Sequence, residues 1–398
     1  MNQPLDRSEL NAMMRDSIGH AKAGTIPHAP GILKLAASRY YDPEIFEAEM
    51  RQIFRRVPLL LAVTAEIPLP GDYKSLDAAG VPVLIVRGQD KVVRAFINSC
   101  SHRGTNVAVE PKGNSRRFVC PYHGWTFTQT GELMGVASPD DFGPLDKSCF
   151  GLTPLPVDER AGLIWVILNP KSDLSFDDFL SGYDKLLAHF EFQDWQFFSD
   201  RTIPGPNWKI AYDGYLDFYH LPVLHKNTFG EDMYNQAIYY ARGPHQCVRA
   251  PTPNLVELAG TPEDQWSAEA IMAGVWTVFP NISIASFDGG CRGVLISQLL
   301  PGETVDQSFT TQIYLTRHTP TAQQVAEVET QFQFLEHVVR NEDYATGLRQ
   351  QRALKNGGRE WVLFGENEAG AQRFHQWVDR LIAADDAELK AIFSQVDA

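Results

Sequence analysis

Two short segments carry residues suited to binding a metal: Cys100-Ser101-His102 and, seventeen residues further on, Cys120-Pro121-Tyr122-His123. Each offers one thiolate and one imidazole, with the thiolate first. A structural zinc site of the finger type pairs its two cysteines and, separately, its two histidines, the latter on a helix. The alternation here suits a [2Fe–2S] centre in which one iron takes two thiolates and the other two imidazoles. Arg103-Gly104 and Gly124-Trp125 follow the two pairs, supplying backbone N–H groups and a bulky apolar neighbour, and Tyr122 adds a hydroxyl. Such groups tune a cluster through hydrogen bonds and exclusion of water. The remaining cysteines, Cys149, Cys247 and Cys291, read as buried free thiols.

A second set lies in the run NWKIAYDGYLDFYHLPVLH, residues 207–225. The three-residue step from Asp217 to His220 predicts one face of a helix. Pro222 ends or kinks that helix and frees His225 to turn back toward His220. Two imidazoles and one carboxylate bound facially make a non-haem Fe(II) site that activates O2. The candidate carboxylates are Asp213, Asp217, Glu342 and Asp343. Val325, Val328, Phe332, Leu335 and Val339 recur at three- and four-residue steps, an apolar stripe that reaches Glu342 and Asp343 one turn later. A carboxylate on a buried face is costly unless paired or metal-bound. Asp343 is therefore taken as the third ligand, with Glu342 on almost the same arc as the alternative.

Two frameworks must position these residues. From Ser38 to Pro170 short β-rich runs dominate: VPVLIVRG and KVVRAFINS around a Gly-Gln-Asp turn, then RRFVC, WTFTQTGEL and LIWVILN. This predicts a small antiparallel β domain over 38–170. An α+β domain follows over 171–398, in which NISIASF, GVLISQLL and SFTTQIYLT are neighbouring strands. Phe176 to Phe190 repeats apolar residues at helical spacing, and residues 1–37 form a helical arm packing on the larger domain. Hydrophobic residues at 44% and charged residues at 21% fit a folded globular chain of 398 residues. A net charge of −14 disfavours nucleic acid and anionic lipid as partners. The polar, mixed-charge start does not read as a secretory signal, and no apolar stretch is long enough to span a membrane, so a cytoplasmic protein is expected. Five cysteines without dense spacing argue against a disulfide scaffold. No GxGxxG follows a strand, so the chain is not expected to bind a nicotinamide itself.

With both sets located, the chain resembles the large (alpha) subunit of the Rieske non-haem iron ring-hydroxylating oxygenases. The likeness covers Tyr41-Asp42-Pro43-Glu44-Ile45-Phe46, CSHRG, CPYHGW, Asn207-Trp208-Lys209 and Asp217-x-x-His220-x4-His225. It implies a Rieske domain joined to a larger catalytic domain of helix-grip type, an antiparallel sheet flanked by helices. By resemblance Cys100, His102, Cys120 and His123 ligate the [2Fe–2S] cluster, while His220, His225 and Asp343 ligate the mononuclear Fe(II). Asp217 takes the family's role as inter-subunit electron-transfer bridge in a head-to-tail homotrimer, with or without a small beta subunit. Electrons come from an NAD(P)H-dependent reductase, with or without a ferredoxin. The implied reaction is hydroxylation of an aromatic or other apolar small molecule, as dihydroxylation or monohydroxylation, with oxidative O- or N-demethylation as the alternative. A Rieske ferredoxin-like electron carrier is the alternative from another class. Two positions depart from the family's pattern: Ser101 stands where Pro is frequent, and Gly214 where Asn is frequent. Pocket walls are expected from the 207–225 run, the segment after His225 and the strands between Val275 and Leu300. Phe218, Phe229, Trp276 and Phe279 are either pocket or core, and Arg242, Arg249 and Arg292 are either carboxylate anchors or surface charges.

Overall fold

In the computed structural model, which describes residues 6–230 and 233–394, strand and helix alternate in two compact units. The smaller comprises Phe54–Phe176 with Phe192–Asp194, and the larger comprises the chain up to Ile53, Asp177–Glu191 and the chain from Trp195. Residues 1–5 of the expected arm lie outside the described residues. No helix among the described residues is long and apolar enough to cross a membrane.

The smaller unit is antiparallel β throughout. The β-branched run Val81–Arg87 pairs with Val93–Ile97 across a turn in which Lys91 takes a φ of 65°. Strands Asp72–Ala78, Lys112–Asn114 and Pro154–Leu155 complete a five-stranded sheet. The unit also holds a three-stranded meander of Arg117–Val119, Thr126–Thr128 and Leu133–Gly135 and a second three-stranded sheet. Both cysteine–histidine loops are strand connections: one follows Ile97, and the other joins Val119 to Thr126. Cys100, Cys120 and Trp125 belong to the same buried cluster as Leu84, Phe96, Phe118 and Phe127, so the hydrophobic core fixes both loops from beneath.

The larger unit is built on a seven-stranded antiparallel sheet. Its order is Gln196–Gly205, Ser308–Thr316, Cys291–Pro301, Ile282–Gly289, Val275–Val278, His245–Arg249 and Ile238–Arg242. The three strands expected as neighbours are neighbours. Strand Cys291–Pro301 is buried from Gly293 to its end because both faces of the sheet are covered. One face carries helices Trp208–Asp213 and Ala322–Val338. On the other, Tyr183 stacks on His245 and packs against Trp276. The helical spacing of 176–190 becomes two short helices, Phe176–Leu180 and Tyr183–Leu187, separated by Ser181 and Gly182, both at positive φ.

Residues 38–53, assigned by β-rich texture to the small domain, fold with the larger unit. The reason is a set of buried polar contacts that outweighs local propensity. Lys209 Nζ lies 2.6 and 2.7 Å from the Glu49 carboxylate oxygens, and Trp208 Nε1 donates to the same group at 2.7 Å. All three side chains have no exposure. Burial pushes the Lys209 ammonium below the usual lysine range, and Glu49 opposes that shift. Asn207 caps the helix that follows, its Oδ1 accepting from the Lys209 backbone N–H at 3.0 Å. Its side-chain amide donates to Val305 O and its backbone N–H to Gln351 Oε1. Removing one partner of such a pair strands a buried charge, which costs about 3–5 kcal/mol. Glu49→Ala should therefore lower the unfolding free energy by about that amount in a urea titration, whereas the double replacement Glu49→Leu, Lys209→Met should recover most of it.

Candidate functional site

The two cysteine–histidine loops are copies of one another in backbone. Gly104 N–H donates to Cys100 O at 2.8 Å and Gly124 N–H to Cys120 O at 3.0 Å. Cys100 N–H donates to Thr105 O and Cys120 N–H to Trp125 O. Both loops close on a glycine at positive φ, 82° and 69°, a conformation that favours a residue without Cβ. The sequence reading assigned the amides of Arg103-Gly104 and Gly124-Trp125 to the cluster; the two glycine amides close their own loops, whereas the backbone N–H of Arg103, together with that of His102, approaches the Cys100 thiol.

Within this frame the His102 and His123 rings lie 4.6 Å apart, and the Nδ1 atom of each is buried without a hydrogen-bond partner. A buried imidazole nitrogen left open in this way needs an acceptor for its lone pair or its proton. Two such nitrogens beside two buried thiols fit a Cys2His2 iron–sulfur cluster. Trp125 stacks on His102 at 4.9 Å with 9° between planes, and Phe142 packs edge-on against both rings. Tyr122 is exposed, its ring over His123. Ser101 donates its hydroxyl to Phe150 O at 2.6 Å, pinning the first loop without a proline. Asn98, fully buried, bridges Ser75, Val107 and Ala108 just ahead of that loop, a support the sequence reading missed.

In the larger unit, His220, His225 and Asp343 each present one donor atom within 4.8 Å of the others. Asp343 Oδ1 lies 3.3 Å from His225 Nε2 and 3.7 Å from His220 Nε2. The outer nitrogens are occupied. Asp217 Oδ1 stands 3.0 Å from His220 Nδ1 and accepts from the His220 backbone N–H at 3.1 Å. Glu342 Oε2 stands 2.5 Å from His225 Nδ1, and its other oxygen accepts from Thr228 Oγ1. A carboxylate on the far nitrogen fixes the tautomer, leaving Nε2 with a free lone pair. The donor set therefore fits a mononuclear iron.

The local backbone departs from the expected helix. Helix Trp208–Asp213 stops before Asp217, and residues 214–220 are turns, so Asp217 meets His220 by an Asx-type contact. Pro222 lies in the first turn of the next short helix, Leu221–Leu224, where its missing N–H costs nothing. The C-terminal stripe also differs: Val325 is exposed, and Val328, Phe332, Leu335 and Val338 are the buried positions of Ala322–Val338. Beyond Val338 the helix widens into a π-helical segment, Val339–Tyr344. Its wider turn reduces the angle between consecutive side chains, so Glu342 and Asp343 both serve the histidines. Asp213, the other carboxylate considered, accepts from Tyr40 Oη and pairs with His375 at 3.0 Å.

Two family models match this chain: the Rieske [2Fe-2S] domain over residues 58–146 and the ring hydroxylating alpha subunit (catalytic domain) over 192–384. The chain belongs to the large subunits of the Rieske non-haem iron oxygenases. Among curated relatives it is 32% identical over 206 residues to the oxygenase subunit of glycine betaine monooxygenase from Chromohalobacter salexigens, covering 52% of this chain and 46% of that one. It is 29% identical over 221 residues to the anthranilate 1,2-dioxygenase large subunit of Acinetobacter baylyi, covering 54% and 47%. The chain thus spans about half the length of the curated relatives it matches. The fold is similar to that of a quaternary ammonium Rieske monooxygenase, CntA, with a TM-score of 0.71 at 22% identity over 87% of this chain and 94% of that one.

The histidine–carboxylate group opens onto a cavity of about 170 Å³. Its walls come from the expected segments, with Phe218, Phe229, Val275, Phe287 and Leu295 supplying apolar surface, and also from the C-terminal helix, which was not expected there and adds Leu335 and Val338. Trp276 and Phe279 are core instead, and neither lines the cavity. Gly214 lines it, and a Cβ there would meet only Ala211 O, at 3.9 Å. None of the three arginines reaches it: Arg242 pairs with Glu9, Arg292 with Glu269, and Arg249 donates to Ile271 O. Of the three cysteines expected to be buried, only Cys247 is. Cys149 is exposed and Cys291 intermediate.

The geometry ranks the two neighbouring carboxylates. Asp343→Ala should remove most of the mononuclear iron while the visible cluster spectrum persists, and Glu342→Ala should weaken iron binding by about 10–100-fold, measured by metal analysis of equilibrium-dialysed protein. Burial alone would push the His225 imidazole down, but Asp343 and Glu342 more than offset it and hold its proton above the usual range. Metal must displace that proton. Iron uptake by metal-free protein should therefore fall off already as pH drops through values above about 6.5, read as bound iron against pH.

Proposed function

We propose that this chain is the terminal oxygenase component of a multicomponent Rieske system. A partner reductase delivers NAD(P)H-derived electrons, and a small, mostly apolar molecule is hydroxylated in the 170 Å³ cavity. The observation that supports this reading best is the opening of the His220, His225 and Asp343 donor set onto a mostly apolar cavity, in a chain that also carries the cysteine–histidine loops. A pure electron carrier has no use for such a cavity. Family membership supports it as well.

When bound, the ferrous ion supplies O2 activation and the cluster supplies stored electrons. The chain's own residues do the rest. His220, His225 and Asp343 would hold the metal, and the cavity they border would receive the substrate. Asp217 and Glu342 accept the outer imidazole protons and hold both rings in orientation. Phe218, Phe229 and Phe287 exclude water from the reacting face and restrain the substrate. Asp217 also borders a second cleft, lined by Asp213, Glu368 and Gln350, on the other side of His220. A carboxylate reached from both sides suits the bridging role, receiving a cluster histidine of a neighbouring subunit in a homotrimer.

Glycine betaine and anthranilate, the compounds named for the two relatives, each carry a carboxylate. The lining of this cavity contains no Lys or Arg among the described residues, and it contains Asp217 and Asp343. Apart from the metal that His220, His225 and Asp343 would hold, nothing in the lining compensates the desolvation of an anion, which favours a neutral substrate.

The reading is tested by supplying a surrogate reductase and measuring substrate-dependent O2 uptake and product. His220→Ala should abolish product with the cluster spectrum intact. Undiminished product in that variant would refute the proposal. Asp217→Ala, like Glu342→Ala, should weaken iron binding, and in protein reconstituted with excess iron it should still slow reoxidation of the reduced cluster by about 10-fold or more in stopped-flow absorbance.

A further inference from the structure

The sheet side of the cavity is not apolar throughout. Thr277, Ser283, Ser297 and Gln312 stand directly opposite one another on four adjacent strands, forming a polar row across the sheet. The row beside it, Val275, Ala285 and Leu295, is apolar. All four polar residues are at most 4% exposed. Buried polar groups of this kind are expected to be hydrogen-bonded.

Only one end of the row is satisfied within the chain. Thr277 Oγ1 donates to Gln246 O at 2.9 Å. Neither amide atom of Gln312 has a partner. The Ser283 hydroxyl has none among the described residues, and Ser283 and Ser297 both border the cavity. From the opposite wall Tyr215 adds a buried hydroxyl that lies beside Ser297 and Tyr344 but outside hydrogen-bond geometry with either. Three residues that line one cavity therefore carry hydroxyls with unused capacity, each able both to donate and to accept.

We propose that Ser283, Ser297 and Tyr215 form a recognition site for one uncharged hydrogen-bonding group, a hydroxyl or a carbonyl oxygen, on an otherwise apolar substrate. This rests on the reading of the cavity as the oxygenase's substrate pocket. Hydroxyls rather than cations make the site selective for a neutral dipole. A carboxylate meets no Lys or Arg in the lining and faces Asp217 and Asp343. A hydrocarbon lacking the polar group leaves the hydroxyls unpaired, so the site discriminates against both extremes.

Binding to the oxidised, metal-loaded protein, measured by titration calorimetry without reductant, tests this with four probes of similar size: ethylbenzene, 1-phenylethanol, acetophenone and benzoate. Benzoate should bind weakest. Ser297→Ala and Ser283→Ala should each weaken acetophenone and 1-phenylethanol about twofold to tenfold and leave ethylbenzene unchanged or tighter. Tyr215→Phe, which keeps the ring, should repeat the pattern. Unaltered cluster absorbance and thermal midpoint show that each variant is folded. Tightest binding by benzoate, equal losses for ethylbenzene and acetophenone, no loss in any variant, or no binding by any probe would each overturn the proposal. Because no electrons are supplied, the oxygenase reading stands or falls separately, on O2 uptake with reductase.

Discussion

A lysine ammonium cut off from water is tolerable only beside an anion, and in this protein the anion comes from 160 residues away in the chain. Glu49 receives both Lys209 and the Trp208 indole, and through them the first turn of the helix that ends at Asp213 and leads to Tyr215 and Asp217. Asn207, held by Val305 and Gln351, fixes the start of that helix. Downstream, backbone turns rather than further helix carry His220 and His225, and turns hold position only if their entry point is held. The buried pair therefore acts on the site at a distance, by denying the helix any freedom to slide or rotate.

The two sets of histidines are presented differently. In the small unit the Nδ1 atoms are the buried, open positions, and aromatic rings press on the imidazole faces. In the large unit the Nε2 atoms converge, and carboxylates grip the Nδ1 side. The first arrangement surrounds its centre with apolar matter and the second with negative charge. Thiolates already supply negative charge to a cluster, whereas a site with two neutral imidazoles and one carboxylate gains stability for a dication from the Asp217 and Glu342 charges behind them.

Much of this was legible in the sequence because the signals were local. The cysteine–histidine spacing named the cluster loops, the β-branched runs gave the strands, and the apolar stripe singled out Glu342 and Asp343. What could not be read depended on tertiary contact. Residues 38–53 look like an introduction to the β domain until Glu49 is seen to belong to Lys209. Asp217 and His220 have helical spacing, yet an Asx turn satisfies the same three-residue step. Glu342 was weighed only as a rival ligand, since nothing in the sequence shows that a π-turn lets two consecutive acids serve two atoms of one imidazole. The polar row across the sheet was hidden in strands whose alternation reads as ordinary, because register alone places Ser283, Ser297 and Gln312 side by side.

The π-helical segment has a consequence for how this gene can change. Helix Ala322–Val338 packs on the sheet through Phe332 and Leu335, and Ala345–Lys355 packs through Gly347 close against Pro206 and Ile210. The six residues between them set the rotational phase of one half of the rod against the other. Deleting one residue there restores an ordinary helix and turns one half by about 100° relative to the other, carrying either the core contacts or Asp343 out of place. Substitutions along this rod act one side chain at a time. A change in its length acts on all of them at once, so descent with insertions and deletions should be confined to the loops that flank it.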